Sequence, residues 1–384
     1  MKISAKTSGP IVGLDVPALP GMPLAEVVTP ALIIDLDSFE HNVAVLREQL
    51  AKAGVRLRAH SKTHKSVDIA RYQIEQGGAC GICCQKLSEA EIMVAGGIDD
   101  VMISNQVVDP AKVERLASLA LRARVLVCVD DADNIDNLSA AAMRQGSSIE
   151  CLVEIDCGAG RCGVEPGEPA VALAQRIAAS GGLKFAGLQA YQGSAQHIRD
   201  FTARGEAIDI AIAHTRSTLR QLDAVGLHCD IVAGAGTGSY PFEAESGVYN
   251  ELQCGSYVFM DADYARVLDA SGQPLSAFRN SLFLWTSIMS TARPGQAVCD
   301  AGLKVQSVDS GLPRVFGRDD IEYVTCSDEH GNIADPHNRL ALNQKLKLVP
   351  GHCDPTCNLH DWYVGIRNDR VECLWPVSAR GKAF

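Results

Sequence analysis

Short apolar segments recur along the first two thirds of the chain, with helical patterns between them. Residues 55–59 (Val-Arg-Leu-Arg-Ala) alternate apolar and polar positions with a period of two, which predicts a strand. The same analysis predicts eight strands in this part of the chain: Val55–His60, Gly81–Cys84, Val101–Ser104, Val125–Val129, Cys151–Asp156, Phe185–Tyr191, Asp230–Ala233 and Glu251–Tyr257. Helices are predicted between several of them, at Ser88–Ala95, Pro110–Leu121, Pro169–Ala179 and Asp200–Val225.

Eight strands that alternate with helices predict an α/β protein with a parallel (β/α)8 barrel, which we assign to residues 37–262. A doubly wound open sheet is the alternative. It is disfavoured because no Gly-x-Gly-x-x-Gly turn follows the first strand. Ser88-Glu89-Ala90-Glu91 has the pattern of a capping box, which predicts that a helix begins at Ser88.

The pattern changes after residue 262, where predicted strands follow one another without helices. These strands are Leu282–Ser287, Gln296–Val298, Glu322–Cys326, Lys345–Val349, Trp362–Arg367 and Arg370–Trp375. Asn368-Asp369 predicts a hairpin turn between the last two. A further strand at Leu32–Asp35 has no place in an eight-stranded barrel. Residues 1–36 and 263–384 are therefore predicted to form a second, mainly antiparallel β domain.

Composition and charge narrow the class of protein. A chain of 384 residues with 47% hydrophobic and 21% charged residues is typical of soluble globular proteins. The net charge of −11 disfavours nucleic acids and anionic membranes as partners, and leaves small molecules. Residues 1–21 lack the apolar core of a secretory signal, so the 14 cysteines are predicted to be reduced thiols of a cytoplasmic protein. No apolar run reaches the roughly 18 residues of a membrane span.

Lys62 is the first candidate for chemistry. If the alternation of the strand continues, Arg58, His60 and Lys62 share one face at the strand end where barrel enzymes gather their functional groups. Lysine is seldom buried unless it is paired or reactive, so Lys62 is a candidate to form a Schiff base with an aldehyde cofactor. A solvated lysine at the end of a strand is the alternative interpretation of this segment.

Two glycine-rich segments follow later strands. Residues 158–163 (Gly-Ala-Gly-Arg-Cys-Gly) surround Arg161 with glycines, which presents a fixed cation or simply forms a turn. Residues 234–239 (Gly-Ala-Gly-Thr-Gly-Ser) predict a concave row of N–H groups suited to a phosphate, with Gly255-Ser256-Tyr257 beside it. Neither segment has nucleotide-binding spacing. A lysine and a phosphate site on one rim favour pyridoxal phosphate as the cofactor.

His352-Cys353-Asp354 is a candidate metal site in the second domain. In an extended segment His352 and Asp354 face the same way, whereas Cys353 faces the other. A nitrogen and an oxygen ligand completed by water suit Mg²⁺ or Mn²⁺, whereas a His-x-Cys pair would suit Zn²⁺. A polar turn between two prolines is the alternative.

These segments together resemble the pyridoxal-phosphate enzymes of the alanine-racemase-like fold, and within them the branch of D-threonine aldolases and D-serine dehydratases. The resemblance extends from Thr29 to Gly381. The matching segments are His60–Lys65, Cys83–Lys86, Gly160–Gly163, Gly236–Ser239 and Leu303–Lys304. Residues 300–311 and 351–358 are most similar to branch members that act on 3-hydroxyaspartate.

The resemblance implies a role for each matching residue. Lys62 would hold the cofactor covalently, Arg161 and Tyr191 would lie at its ring or its O3′ edge, and His352 and Asp354 would bind the metal. The residues implied around the phosphate are Gly236, Thr237, Gly238, Gly255, Ser256 and Tyr257.

The reaction implied is a metal-assisted retro-aldol cleavage of a 3-hydroxy D-amino acid, which would convert 3-hydroxyaspartate to glycine and glyoxylate. His197, or a water beside His352, is the candidate base. Lys304 and Arg314 are candidates for binding a second substrate carboxylate. The family also implies a head-to-tail homodimer.

Two positions depart from the family pattern: Gln192 stands where His is common, and Ala235 stands where three consecutive glycines are usual. The alternatives are a D-threonine aldolase of broad specificity, a dehydratase of D-serine or 3-hydroxyaspartate, and a non-catalytic pyridoxal-phosphate carrier. Asp354 disfavours a dehydratase because a Zn²⁺-binding Cys would stand there, and the β domain disfavours a carrier. A racemase would need a second acid/base residue opposite Lys62, and none can be assigned.

Overall fold

The computed structural model describes residues 9–384, which divide into two compact units. One, the β unit, contains residues 9–41, 259–263 and 279–380 of the described chain. The other, the barrel unit, contains residues 42–258, 264–278 and 381–384. Compared with the predicted boundaries, residues 37–41 and 259–262 lie in the β unit, and residues 264–278 and 381–384 lie in the barrel unit.

Strands and helices follow the order that the sequence predicts. Within residues 9–384 the strands are β1 (Ala31–Asp35), β2 (Arg56–His60), β3 (Gly81–Cys84), β4 (Asp100–Ile103), β5 (Arg124–Val129), β6 (Ile149–Glu154), β7 (Leu183–Gln189), β8 (Ile231–Gly234), β9 (Glu251–Leu252), β10 (Leu282–Arg293), β11 (Gln296–Cys299), β12 (Arg314–Val315), β13 (Glu322–Cys326), β14 (Gly331–Ala334), β15 (Lys345–Val349), β16 (Trp362–Arg367) and β17 (Arg370–Pro376). The α-helices are α1 (Leu36–Ala53), α2 (Val67–Glu75), α3 (Leu87–Ala95), α4 (Pro110–Leu119), α5 (Ala132–Gln145), α6 (Glu168–Ala179), α7 (Phe201–Ala224), α8 (Tyr240–Glu245) and α9 (Cys353–Cys357).

Strands β2 to β9 form a closed parallel barrel, in which β2 pairs with both β3 and β9. This closure confirms the predicted barrel and excludes the open sheet. A buried apolar cluster draws on six of the strands, and its members are Cys83, Met102, Leu126, Cys128, Leu152, Ala186, Ile231 and Ala233. Burial of these side chains favours the packing of strands β3 to β8 around the barrel interior.

The helix predicted at Ser88 begins one residue earlier, and its cap differs from the prediction. The Glu89 carboxylate accepts hydrogen bonds from the backbone N–H groups of Gln85 and Lys86, at 2.9 and 3.1 Å. Glu89 therefore satisfies N–H groups at the start of α3, and Ser88 lies inside the helix. The capping box was predicted at the wrong register for this reason.

The β unit is built on a nine-stranded sheet with the strand order β13-β14-β11-β10-β1-β16-β17, to which β15 and β12 are attached beside β10. All pairs are antiparallel except β1 with β16, as a mainly antiparallel domain requires. Asn368 and Asp369 have φ values of 50° and 55°, which suit the predicted two-residue hairpin. The buried core of this unit includes Ala31, Ile33, Phe283, Trp285, Val349, Val364 and Ile366.

Two further sequence expectations concern the whole described chain. No helix within residues 9–384 combines the length and the apolar character that a membrane span requires. All 14 cysteines are free thiols, and Cys83 and Cys84 are fully buried in β3.

A buried ion pair joins three barrel strands at their amino ends. Arg58 of β2 is fully buried, and it donates through Nε to Glu251 at 2.6 Å and through Nη1 to Asp100 at 2.5 Å. Glu251 is the first residue of β9 and Asp100 the first of β4. Burial opposes the charge of the guanidinium, but the two carboxylates outweigh this and raise the pKa of Arg58.

We expect Arg58→Met to lower the free energy of unfolding by about 3–5 kcal/mol, because it leaves two carboxylates without their buried cation. Arg56→Met is the matched control, since the Arg56 side chain is 49% exposed and lies 3.4 Å from Glu251. That control is expected to cost at most about 1 kcal/mol. Urea denaturation of both variants measures the difference, and equal losses would contradict the assignment.

Candidate active site

The carboxyl ends of the barrel strands surround a cavity of about 90 Å³. Its walls come from the strand ends and from the loops that follow them. The lining residues are His60, Lys62, Thr63, Gln85, Ser104, Arg161, Gln189, Tyr191, Ala235, Gly236, Thr237, Gln253, Gly255, Ser256 and Tyr264. Seven residues of the sequence prediction are thus brought together, and they are Lys62, Arg161, Tyr191, Gly236, Thr237, Gly255 and Ser256.

Lys62 reaches the cavity from a single 3₁₀ turn, Ser61–Thr63, that directly follows β2. The turn is anchored at both sides: Lys62 N–H donates to His60 Nδ1 at 3.4 Å, and Ser61 Oγ donates to the Cys83 carbonyl at 3.0 Å. The side chain of Lys62 is half-buried. A lysine held this way on the wall of a pocket can act as a nucleophilic amine.

Two buried hydroxyls in the cavity wall have no hydrogen-bond partner within residues 9–384. Thr63 Oγ1 and Thr237 Oγ1 are both unpaired, although their residues are at most 1% exposed. Buried polar groups normally form hydrogen bonds. Two unpaired hydroxyls in one wall therefore indicate that a ligand accepts hydrogen bonds from them. Gly255 leaves space beside the Thr63 hydroxyl, since a Cβ there would lie 2.6 Å from Thr63 Oγ1. The donors and the space fit a phosphate group.

Three predicted residues of the barrel unit do not line the cavity. The N–H of Gly238 donates to Gln196 Oε1 at 2.9 Å, and the buried Tyr257 hydroxyl accepts from Gln73 Nε2 at 3.0 Å. His197 ends the 3₁₀ turn Ser194–His197 and is exposed. The structure therefore does not place the side chains of Tyr257 and His197 where the family resemblance implies a cofactor or substrate contact.

A polar cluster fixes the imidazole beside Lys62. Gln85 Nε2 lies 3.1 Å from His60 Nε2 and 3.1 Å from Ser104 Oγ, and the last two atoms are 3.3 Å apart. Gln85 and Ser104 follow β3 and β4 directly, so neighbouring strands hold the three side chains in register. This cluster positions the His60 ring in the wall of the cavity.

A pair of glutamine side chains forms another part of the wall. Gln189 and Gln253 exchange two amide hydrogen bonds, at 2.8 and 2.9 Å, and both residues are buried. Each amide satisfies the other, which gives a rigid and uncharged surface.

Arg161 supplies a positive charge at the cavity. Its guanidinium carbon lies 5.6 Å from the centre of the Tyr191 ring, and Nη2 lies 3.7 Å from Glu154 Oε1. Burial raises the pKa of Glu154, while the hydrogen bond from Gln106 at 2.6 Å and the charge of Arg161 act in the opposite direction. The ring and the carboxylate together restrict where the Arg161 guanidinium can lie.

In the β unit, His352 precedes the short helix α9 and Asp354 lies in its first turn. The prediction of an extended segment here is wrong, because residues 353–357 form a helical turn. Thr356 Oγ1 donates to the His352 carbonyl across this turn, and the Cys353 N–H at its start donates to Asp261. This change removes the argument that strand alternation places His352 and Asp354 on one side.

His352 nevertheless has the support that metal-binding histidines usually have. Its Nδ1 lies 2.8 Å from Asp309 Oδ2, which leaves Nε2 for another partner. Burial alone would raise the pKa of Asp309, but hydrogen bonds from Ser307 and His352 outweigh it and lower the pKa. Within residues 9–384 no group of three or more His, Cys, Asp and Glu side chains is arranged to hold a metal. A site here would take its remaining ligands from water or substrate.

The two candidates for a substrate carboxylate also lie in the β unit. Lys304 Nζ is 2.6 Å from Glu329 Oε1, which raises the pKa of this exposed lysine. Arg314 is the exposed first residue of β12. Lys304 already has an acidic partner, which weakens it as a substrate ligand.

Sequence reasoning missed several lining residues. Polar side chains directly after predicted strands were the available signal, since such positions meet at one rim of a barrel. The lining residues not anticipated as site residues are His60, Thr63, Gln85, Ser104, Gln189, Gln253 and Tyr264.

Comparison with known families matches both units. The family model "Alanine racemase, N-terminal domain" matches residues 34–263, and the model "Putative serine dehydratase domain" matches residues 281–366. The first covers more than half of the chain.

Individual proteins match the chain over nearly its whole length. It is 55% identical to 3-hydroxy-D-aspartate aldolase of Paracoccus denitrificans (strain Pd 1222), over 100% of both chains. It is 46% identical to D-threonine aldolase of an Arthrobacter species, over 96% of this chain and 97% of the relative. The crystal structure of D-threonine aldolase from Filomicrobium marinum superposes with a TM-score of 0.93 at 49% identity, over 96% of this chain and 100% of that chain.

We expect Thr237→Val to stabilise the ligand-free protein by about 1–3 kcal/mol, because a methyl group replaces a buried hydroxyl without a partner. The same variant should bind pyridoxal phosphate about tenfold more weakly, since a hydrogen bond to a charged group is lost. Thermal unfolding and cofactor titration measure the two effects.

Thr218→Val is the matched control, because the Thr218 hydroxyl is also buried but is satisfied by His214 and Gly167, both at 2.9 Å. It should be destabilised by about 1–3 kcal/mol. If the two variants lose stability equally, Thr237 Oγ1 is not an unpaired donor.

Proposed function

We propose that this chain, which belongs to the family of 3-hydroxy-D-aspartate and D-threonine aldolases, cleaves the Cα–Cβ bond of 3-hydroxy-D-aspartate to give glycine and glyoxylate. The observation that carries the proposal is the half-buried Lys62 in a cavity wall that also holds two unpaired hydroxyls. The identity of 55% to a 3-hydroxy-D-aspartate aldolase over the full chain supports the choice of substrate.

Pyridoxal phosphate is the cofactor that fits the cavity best. The Lys62 amine would hold its aldehyde carbon, and Thr63 and Thr237 would donate to its phosphate. When bound, the cofactor supplies an electron sink for the charge that develops at Cα as the bond to Cβ breaks. Arg161 and Tyr191 would limit the position of the cofactor ring at its edge. The pair Gln189–Gln253 would form an uncharged part of the wall around the cofactor.

A divalent metal, Mg²⁺ or Mn²⁺, completes the proposal. His352 and Asp354 would hold the ion, with the Asp309 carboxylate orienting the imidazole of His352. The ion, when bound, supplies Lewis-acid stabilisation of the substrate 3-hydroxyl as it loses its proton. Because His197 is exposed and outside the cavity wall, we do not assign it the role of base.

The cleavage requires two proton transfers. One proton leaves the 3-hydroxyl as the aldehyde of glyoxylate forms, and one proton arrives at Cα to complete glycine. Lys62 and His60 both line the wall, and the Lys62 backbone N–H donates to the His60 ring. We assign the delivery of the Cα proton to Lys62. A head-to-tail homodimer and a cytoplasmic location remain part of the proposal and rest on the sequence analysis.

A dehydratase is the second candidate, because a serine dehydratase domain model matches residues 281–366. Such an enzyme would release ammonia and oxaloacetate from 3-hydroxy-D-aspartate. The Asp at position 354, in place of the Cys that a zinc-type site would use, favours the aldolase.

Product analysis tests the proposal directly. Purified protein with pyridoxal phosphate and Mg²⁺ or Mn²⁺ is given 3-hydroxy-D-aspartate and D-threonine in separate reactions. We expect glycine and glyoxylate from the first substrate, and at least about tenfold slower release of acetaldehyde from the second, as the loss of a carboxylate contact would give. Ammonia and oxaloacetate as the main products would identify a dehydratase instead.

Two further conditions in the same assay test whether turnover requires the metal. Asp354→Ala and treatment with a chelator should each abolish turnover while the absorbance of the bound cofactor remains. Asp361→Ala is the control, because Asp361 is an exposed acidic residue of the same unit, paired with Arg380. Full activity in the chelated enzyme would refute the metal-assisted mechanism.

A further inference from the structure

A chain of hydrogen bonds holds the glycine-rich loop of residues 234–239 in place. Gly238 N–H donates to Gln196 Oε1 at 2.9 Å, Gln196 Nε2 donates to Ser239 Oγ at 2.7 Å, and Ser239 Oγ donates to Glu243 Oε1 at 2.9 Å. The Gly236 N–H also points to Ser239 Oγ, at 3.4 Å. The loop that lines the cavity at Gly236 and Thr237 is thus tied to one buried carboxylate.

Glu243 sets the direction of this chain. A carboxylate only accepts, so the single Ser239 hydrogen must point to it, and Ser239 must then accept from the Gln196 amide nitrogen. That choice turns the Gln196 amide oxygen towards the Gly238 N–H. Without an acceptor at Glu243 the hydroxyl and the amide could both reverse, which would leave the Gly238 N–H facing another donor.

The loop leaves no room for a different arrangement. A Cβ on Gly236 would lie 2.6 Å from Gln196 Oε1, and one on Gly238 would lie 3.1 Å from the same atom. Gln196, Ser239 and Glu243 are each at most 3% exposed. Water therefore does not compete for these hydrogen bonds.

When Glu243 is ionised, no cation within residues 9–384 pairs with it. Its Oε2 atom is buried without a hydrogen-bond partner in this part of the chain. Burial raises the pKa of Glu243 to about 7, although the hydrogen bond from Ser239 acts in the opposite direction.

The titratable groups that face Glu243 remain neutral around that pH. They are Cys157 in the loop after β6, Tyr249 before β9 and Cys254 after β9. Burial raises the pKa of all three, so none of them changes its charge between pH 6 and pH 8.5. Glu243 is the member of this group that titrates in the neutral range.

We propose that Glu243 is a positioning residue of the cofactor-phosphate loop: through Ser239 and Gln196 it orients the loop, and its charge state sets how tightly the loop holds a phosphate ester. This inference goes beyond the aldolase reaction but rests on the proposed pyridoxal-phosphate site. It predicts that binding of the phosphorylated cofactor is coupled to proton uptake at Glu243.

The sign of the pH dependence follows from charge repulsion. A phosphate dianion disfavours the ionised form of Glu243, so affinity for the phosphate is greatest where Glu243 is neutral, below about pH 7. A proton on Oε2 of the neutral acid leaves Oε1 to accept from Ser239. Affinity falls as the pH rises through that value and Glu243 ionises. Pyridoxal, which lacks the phosphate, should not show this component.

The test is a titration of pyridoxal phosphate and of pyridoxal into the cofactor-free full chain, from pH 6 to pH 8.5, followed by the visible absorbance of the Schiff base. Wild-type protein is compared with Glu243→Gln, which keeps an acceptor for Ser239 and removes the charge. We expect the ratio of the wild-type Kd to the variant Kd for pyridoxal phosphate to rise about tenfold over this range, as a coupling of one pKa unit gives. The ratio for pyridoxal should stay constant.

Two further variants complete the design. Ser239→Ala interrupts the chain while the Glu243 side chain stays in place, and should weaken the binding of pyridoxal phosphate about tenfold with little effect on pyridoxal. Glu245→Gln, on the exposed side of the same helix, should behave as the wild type. Ser239→Ala also keeps the proposal testable if Glu243→Gln does not fold.

The outcomes separate a failure of the proposed role of Glu243 from a failure of the proposed function. The role of Glu243 would be overturned if the ratio of the wild-type Kd to the Glu243→Gln Kd for pyridoxal phosphate did not change with pH, or if the ratio for pyridoxal changed equally. It would also be overturned if Ser239→Ala bound pyridoxal phosphate with unchanged affinity. If wild-type protein forms no Schiff base with pyridoxal phosphate at any pH, the proposed function itself fails.

Discussion

The pairing of β2 with β9 is the contact on which the site depends. Arg58 and Glu251 lie 193 residues apart in the chain, yet their buried ion pair holds the first and last barrel strands together. Closure carries the residues after each strand to one rim, so Lys62 and Thr63 after β2 face Gly255 and Ser256 after β9. A barrel left open at this seam would separate the lysine from the loop proposed to hold the phosphate.

Several groups in or beside the cavity wall lower the folding stability of the ligand-free protein. Unpaired hydroxyls at Thr63 and Thr237, an uncompensated carboxylate at Glu243 and a left-handed Ala235 with φ of 67° all cost folding free energy. The close-packed barrel interior offsets these costs, since its apolar cluster is almost fully buried. Groups of this kind concentrate where a ligand later satisfies them.

Periodicity along the chain predicts which residues form strands and which face they share. It placed Arg58 and His60 on the inner face and gave β3, β13, β15 and β16 their observed bounds. The barrel that it predicts implies that the strand ends meet at one rim, but not which side chains pair there. The pairs Gln189–Gln253 and His60–Gln85 were therefore not foreseeable, although each residue ends or directly follows a strand.

Local tertiary contacts account for the sequence predictions that the structure does not support. His352-Cys353-Asp354 reads as extended, but residues 353–357 form a helical turn, with hydrogen bonds from Thr356 and to Asp261. Tyr257 was assigned to the phosphate by family resemblance, whereas Gln73 of α2 holds its hydroxyl in the interior. Asp261 and Gln73 are distant in the chain from the residues that they bond, so a local pattern does not reveal them, whereas Thr356 belongs to the same segment as His352.

The central claim is that Lys62 holds an aldehyde cofactor covalently in the barrel cavity. Incubation of the protein with pyridoxal phosphate, reduction with borohydride and mass spectrometry of the digested protein test it most directly. We predict a phosphopyridoxyl group on the peptide that contains Lys62, and its loss in Lys62→Ala. Modification of another lysine, or an unmodified Lys62 peptide in protein that has bound the cofactor, would contradict the account.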